Sequence, residues 1–91
     1  MPVFAVIATV NPSALKTAVV TQYGANHYEF SPTVWFVPDV GTTDQVSNKL
    51  GLAGGKIGAQ GVVLRFTAFS GYAGATAWTW LQSNSDAVSN G

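Results

Sequence analysis

Residues 3–10 read Val-Phe-Ala-Val-Ile-Ala-Thr-Val, an almost unbroken apolar and β-branched run that stops at Asn11-Pro12. That pattern belongs to a central strand buried on both faces. A strand of this kind can only sit inside a layered core, and 91 residues allow a single two-layer domain. A domain of this size buries about 60 to 65% of its unfolded surface, so it benefits from a partner.

The punctuation along the chain divides the rest. Asn11 is expected to cap a helix by accepting a backbone N–H bond, and Pro12 suits the first helical position because its φ is preset and it leaves no amide unpaired. Leu15, Ala18, Val19 and Gln22 recur at offsets of three and four, with Gly24 as a left-handed stop. Aromatic and β-branched residues return over 27–37, but Ser31-Pro32 interrupts them. Proline cannot donate to a central ladder, so two short strands are expected, 27–30 and 34–37, forming a hairpin. Thr42, three residues ahead of Gln45, makes a capping box for a helix that buries Val46 and Leu50 and ends at Gly51. The glycine-dense segment 52–61 is expected to be a mobile loop. A strand over 62–69 follows, alternating Val62, Leu64 and Phe66 with Val63 and Arg65, and Arg65 is expected to face water or a partner. A short helix over 75–82 stacks Ala77, Trp78 and Leu81, and the polar residues 83–91 read as a disordered tail beyond a domain of residues 1–82.

The predicted order, strand-helix-strand-strand-helix-strand plus a terminal helix, is the split βαβ arrangement of an α+β, ferredoxin-like domain, with two helices over one face of an antiparallel sheet. Composition now poses a problem for the other face. The chain is 47% hydrophobic and 9% charged, whereas a typical soluble domain is about 25% charged. Strands apolar on both sides leave an open face with few charges to solvate it. Homodimerisation through the sheet face or edge answers this, and cover by the helix carrying Trp78 and Trp80 is the competing solution.

The same composition narrows the function. Four basic and four acidic residues cancel, so no broad field draws the chain to nucleic acid or to anionic membranes. The absence of cysteine removes disulfides, thiol nucleophiles and thiolate-bound metals. Lys16 follows the first apolar run instead of preceding it, the wrong order for a signal peptide, and no stretch approaches the roughly 20 apolar residues of a membrane span. The cytoplasm is the expected location.

Few residues offer chemistry. His27, the single histidine, shares a strand face with Glu29, so the two are candidates for base and orienter, with hydroxyls such as Thr9, Ser31 or Ser70 as nucleophiles. A half-exposed histidine at a strand end is the plainer reading. Glu29, Asp39, Asp44 and Asp86 lie on separate elements, so no metal site is expected, and no cofactor either. Gly54-Gly55-Lys56 suggests a phosphate loop. Leu50 and Ile57 stand where a Walker loop needs glycine and a hydroxyl, and the segment joins a helix to a strand instead of the reverse. Lys49, Lys56 and Arg65 remain candidates for a small basic binding spot, and Trp35 with His27 for the lining of a small-ligand pocket. The aromatic residues are expected to serve packing before base stacking, because base-stacking sheets carry abundant lysine and arginine.

Several segments resemble the SinR-like small bacterial proteins, which are similar to the ferredoxin-like CRISPR adaptation subunit and to VapD-type ribonucleases. They are His27-Tyr28, residues 31–37 with Trp35, Thr43-Asp44-Gln45-Val46, residues 61–67, Gly71-Tyr72-Ala73-Gly74, and Ala77-Trp78-Thr79-Trp80-Leu81. The resemblance spans residues 3–82 and implies a ferredoxin-like fold and a dimer. In the nuclease-type relatives it also implies an aspartate at the end of the first strand, paired across the dimer around Mg²⁺. This sequence has Ala8-Thr9-Val10-Asn11 there. The implied fold and dimer therefore stand without the implied metal ligand. The reading from sequence is a non-catalytic homodimeric binding or assembly module, with a metal-independent endoribonuclease or phosphodiesterase and a small-ligand domain as alternatives.

Overall fold

The structure, a computed structural model, describes residues 2–66, 68, 69, 75–84, 88 and 89. Among them, β1 (Val3–Val10) leads into α1 (Pro12–Tyr23), then β2 (Tyr28–Ser31), β3 (Val34–Pro38), α2 (Thr43–Leu50), β4 (Gln60–Phe66), β5 (Ala68–Phe69), α3 (Ala75–Asn84) and β6 (Val88–Ser89). Four strands form an antiparallel sheet in the order β2-β3-β1-β4, so the first apolar run does occupy an interior position. This is a mixed α+β domain. No helix among the described residues is long and apolar enough to cross a membrane.

The registers divide the side chains into two faces. Phe4 stands opposite Val37, and Val6 opposite Trp35. These four are fully buried, and they join Leu15 and Val19 of α1 and Val46 and Leu50 of α2 in one core cluster. The offset of four within each helix puts both of its core residues on one stripe. On the opposite face Ala5 stands between Phe36 and Leu64, and Ile7 between Val34 and Val62. The small side chain of Ala5 lets the rings of Phe36 and Phe66 meet over the middle strand, with centroids 5.7 Å apart.

The ends of the elements follow local chemistry. Thr42 Oγ1 accepts from the Gln45 amide at 3.1 Å and Gln45 Oε1 accepts from the Thr42 amide at 2.9 Å, the reciprocal capping box expected from sequence. Thr42→Ala removes half of it, with an expected loss of about 1 kcal/mol by urea denaturation. Gly51 ends α2 in the left-handed conformation.

Three local expectations are corrected. Asn11 makes no capping bond; it stands at φ 53°, ψ 64°, and its amide Nδ2 points toward the Gly58 carbonyl at 3.5 Å. Asparagine is there because it tolerates the left-handed backbone that turns a strand into a helix within one residue. Gly24 does end α1, at φ 55° and ψ −130°, outside the left-handed helical region and open to glycine because it has no Cβ. The segment 52–61, expected as a loop without structure of its own, holds a 3₁₀ turn at Ala53–Gly55, packs Leu52, Ile57 and the buried Ala59 against the core, and begins β4 at Gln60.

Boundaries shift as well. The hairpin moves by one residue, to Tyr28–Ser31 with Pro32 and Thr33 in the turn. The predicted 62–69 strand ends at Phe66; Ala68–Phe69 instead pairs in parallel with Val88–Ser89. That pair uses residues assigned from sequence to the tail, and α3 runs two residues past its expected end at Gln82.

The open face is answered in part by α3. Ala77 and Leu81 are buried, and Trp80, between them on the helix stripe, lies 5.9 Å from the Tyr28 ring and 6.3 Å from the Phe36 ring. Tyr28 and Thr76 join their hydroxyls at 2.9 Å. The helix thus covers part of the β2-β3 side of the face, over Tyr28 and Phe36, and leaves Phe30 at the end of β2 48% exposed. Val62 (48% exposed) and Leu64 (53%), on β4, lie beyond it.

Candidate functional site

The sheet itself measures the distances between the candidate catalytic groups. Tyr28 pairs with Phe36, and Phe36 with Ala5, which puts His27 level with Phe4 along β1. Thr9 is five residues farther up β1, and Ser31 four residues farther up β2. At about 3.3 Å per residue, with about 4.8 Å for each strand crossed, these are separations of about 19 Å and 13 Å, beyond the reach of proton transfer. Arg65, opposite Phe4, is level with His27 but three strands away, about 14 Å. The structure does not bring His27 together with Thr9, Ser31 or Arg65. Ser70 lies outside the described residues.

Each of these groups has a local use. His27 Nδ1–H donates to the Gly24 carbonyl and closes the end of α1; a carbonyl can only accept, so the proton is on Nδ1. Glu29 does not orient the imidazole. Its Oε1 accepts from Lys16 at 3.1 Å and from Trp35 Nε1–H at 3.2 Å. The Lys16 bond first, and the Trp35 bond second, hold its carboxyl below the usual glutamate range. Ser31 Oγ accepts from the Thr33 amide at 3.3 Å, a side chain folded back on its own hairpin turn. Thr9 is exposed beside the irregularity in register between Ala8 and Val10. Trp35, proposed from sequence as a pocket residue, is fully buried in the core and presents only its indole N–H, to Glu29.

Of the three basic candidates the structure brings two together. Lys49 and Lys56 line a cleft of about 390 Å³ between α1 and α2, while Arg65 borders a separate depression with Pro2, Val40 and Thr42. Lys49 is engaged at Asp39, the one polar residue in the buried set among the described residues, 8% exposed. Asp39 Oδ2 accepts from Lys49 Nζ and from the Tyr23 hydroxyl, each at 2.7 Å, and Oδ1 accepts from the Gly41 amide at 2.8 Å. The Lys49 ammonium also lies 5.6 Å from the Tyr23 ring centre. Burial pushes the Asp39 carboxyl up, but Lys49, the Gly41 amide and Tyr23 together hold it below the ordinary carboxylate value of 3.8. Burial, then the bond to Asp39, drives the Tyr23 phenol well above its ordinary 10.0.

This knot ties the last turn of α1, the end of β3 and the last turn of α2. From the sequence Asp39 reads as one of four scattered acids, because separations of 16 and 10 residues carry no periodic signal. An Asp39 whose two oxygens already accept three bonds is a carboxylate used for anchoring, not one held ready for a proton.

The feature that still lacks a structural use is the β4 side of the open face. Val62 and Leu64 project there beside Ile7 and Ala5 of β1, and among the described residues β4 is an edge strand. An apolar strip on an edge strand is able to bind another surface through both side chains and main chain. No family model, curated protein or solved structure matches the chain.

Proposed function

We propose that the chain is a non-catalytic, homodimeric binding or assembly module on a ferredoxin-like split βαβ scaffold. The strand order β2-β3-β1-β4, with every pairing antiparallel, supports the scaffold. So does the packing of α1 and α2 on the face that carries Phe4, Val6, Trp35 and Val37. The SinR-like resemblance agrees with this reading, since it carries over a fold and a dimer without the strand-one aspartate.

The observation that carries the assembly role is the half-covered sheet face. Exposing Val62 and Leu64 side by side costs hydration free energy that association recovers, at about 25 cal/mol per Å² of apolar surface removed from water. A formal net charge of zero removes the repulsion that keeps like molecules apart.

Sedimentation equilibrium tests the reading. A mass of twice 9.5 kDa at micromolar concentration is expected. A mass of one chain at the highest soluble concentration overturns it.

A further inference from the structure

We propose that β4 pairs edge to edge, antiparallel, with β4 of a second copy, about a two-fold axis at Val63, joining two four-stranded sheets into one of eight strands. The inference rests on the assembly reading and names the surface that performs it.

The two sheet edges are not equivalent. β2 is guarded: its register with β3 is irregular between Glu29 and Ser31, Pro32 follows directly, Glu29 holds an ion pair with Lys16, and α3 packs alongside through Thr76 and Trp80. Charges, proline and irregular register are the devices that keep an edge from pairing. β4 has no proline within Gln60–Phe66, a single charge, Arg65, and one register shift, at its first residue, where Gln60 pairs with Val10 and Gly61 with Ala8. Its register with β1 is regular from Val3↔Phe66 to Ala8↔Gly61, so the outer edge is a straight template over residues 61–66.

The sequence of β4 is also complementary to itself. In an antiparallel pair centred on Val63, residue 62 faces residue 64 of the second copy, 61 faces 65 and 60 faces 66. That register alone pairs all seven residues, Gln60–Phe66. Val62 meets Leu64 and Leu64 meets Val62, so the two most exposed apolar side chains of the strand cover each other on the open face. On the helix-facing side Val63 meets its own copy. Arg65 lies across Gly61, which offers no side chain to clash and no like charge. A second copy of this chain therefore fits the edge in both side-chain shape and charge.

Because directly opposed residues share a face, the register is testable by cysteine placement in a chain that has none. Val63→Cys puts one thiol from each copy across the axis, on the side facing the helices. Leu64→Cys puts it on the open face, where stacking of two sheets face to face would bring thiols together. Under mild oxidation at micromolar concentration, V63C is expected to run mainly as a covalent dimer on a non-reducing gel, and L64C mainly as a monomer. Two exposed substitutions provide a second measurement. V62E sets a carboxylate against Leu64 of the other copy and is expected to halve the sedimenting mass. V62E/L64K sets each glutamate against a lysine of the other copy and is expected to restore it. A wild-type dimer in which L64C cross-links in place of V63C, or in which V62E/L64K stays as monomeric as V62E, overturns the edge pairing and leaves the assembly reading intact. A wild-type monomer overturns both.

Discussion

Trp35→Ala is expected to remove most of the stability of this domain. Trp35 is fully buried between the sheet and its two core helices, opposite Val6 and in the same cluster as Leu15, Val19, Val46 and Leu50. Truncating a buried ring to alanine costs about 3 to 5 kcal/mol, part in lost burial and part in the cavity left behind. A small domain has about 5 to 10 kcal/mol in total. The folded fraction should fall visibly even without denaturant, and the urea midpoint should move to a small part of its wild-type value. Glu29→Gln is the matched control. It removes the carboxylate partner of Lys16 but keeps an oxygen for the Trp35 indole N–H, and the pair is on the surface. Its effect should be much smaller, because exposed ion pairs contribute little. Equal losses in the two variants would show that the Lys16–Glu29 ion pair, and not the packing of Trp35, sets the stability at this point of the sheet.

The second large effect is expected at Asp39. An asparagine at this position has the same shape, but an amide accepts through only one oxygen, and the charge that draws in Lys49 and Tyr23 is lost. Removing one partner from a buried ion pair costs about 3 to 5 kcal/mol; since Lys49 is nearly half exposed, about 2 kcal/mol is expected for Asp39→Asn. The pH dependence has a definite sign. The Asp39 carboxyl titrates below its ordinary 3.8 in the folded chain, so its contribution is present above that value and is lost as pH falls through the lower folded value. Tyr23 behaves oppositely. Its phenol is raised, so the folded state holds the proton more tightly, and stability declines as pH rises above the ordinary 10.0. Thermal unfolding across both windows should show D39N flattening the acid limb and Tyr23→Phe flattening the alkaline one. Glu29, also lowered, adds to the acid limb, so D39N should flatten it without abolishing it. An acid limb identical in wild type and D39N would remove Asp39 from this account.

The elements that could be read from the chain are those set by contacts within a few residues. The Thr42–Gln45 capping box, Pro12 at the first turn of α1, Gly51 at the end of α2 and the Pro32 hairpin each depend on backbone groups no more than four positions away. Their residue types therefore announce them. Asn11 shows how the same logic misleads: capping and left-handed turning both favour asparagine, and only the backbone angles choose between them. The candidate residues were legible only as types. His27 and Glu29 two apart on a strand read as a pair, but the Gly24 carbonyl claims one and Lys16, thirteen positions back in the chain, claims the other.

By itself the sequence determined an α+β chain with its first strand in the interior of a sheet, a core stripe on each of two helices, and a surplus of apolar surface over charge. Only the tertiary structure decided how that surplus is shared. Trp80 reaches the β2-β3 side because α3 docks on Tyr28 and Phe36, a contact between residues 52 and 44 positions apart that no local pattern encodes. The same docking leaves Val62 and Leu64 uncovered on β4. Hydrophobicity is a property each residue carries alone, whereas cover is a property of which surfaces meet. The first is written in composition, and the second depends on the path of the whole chain.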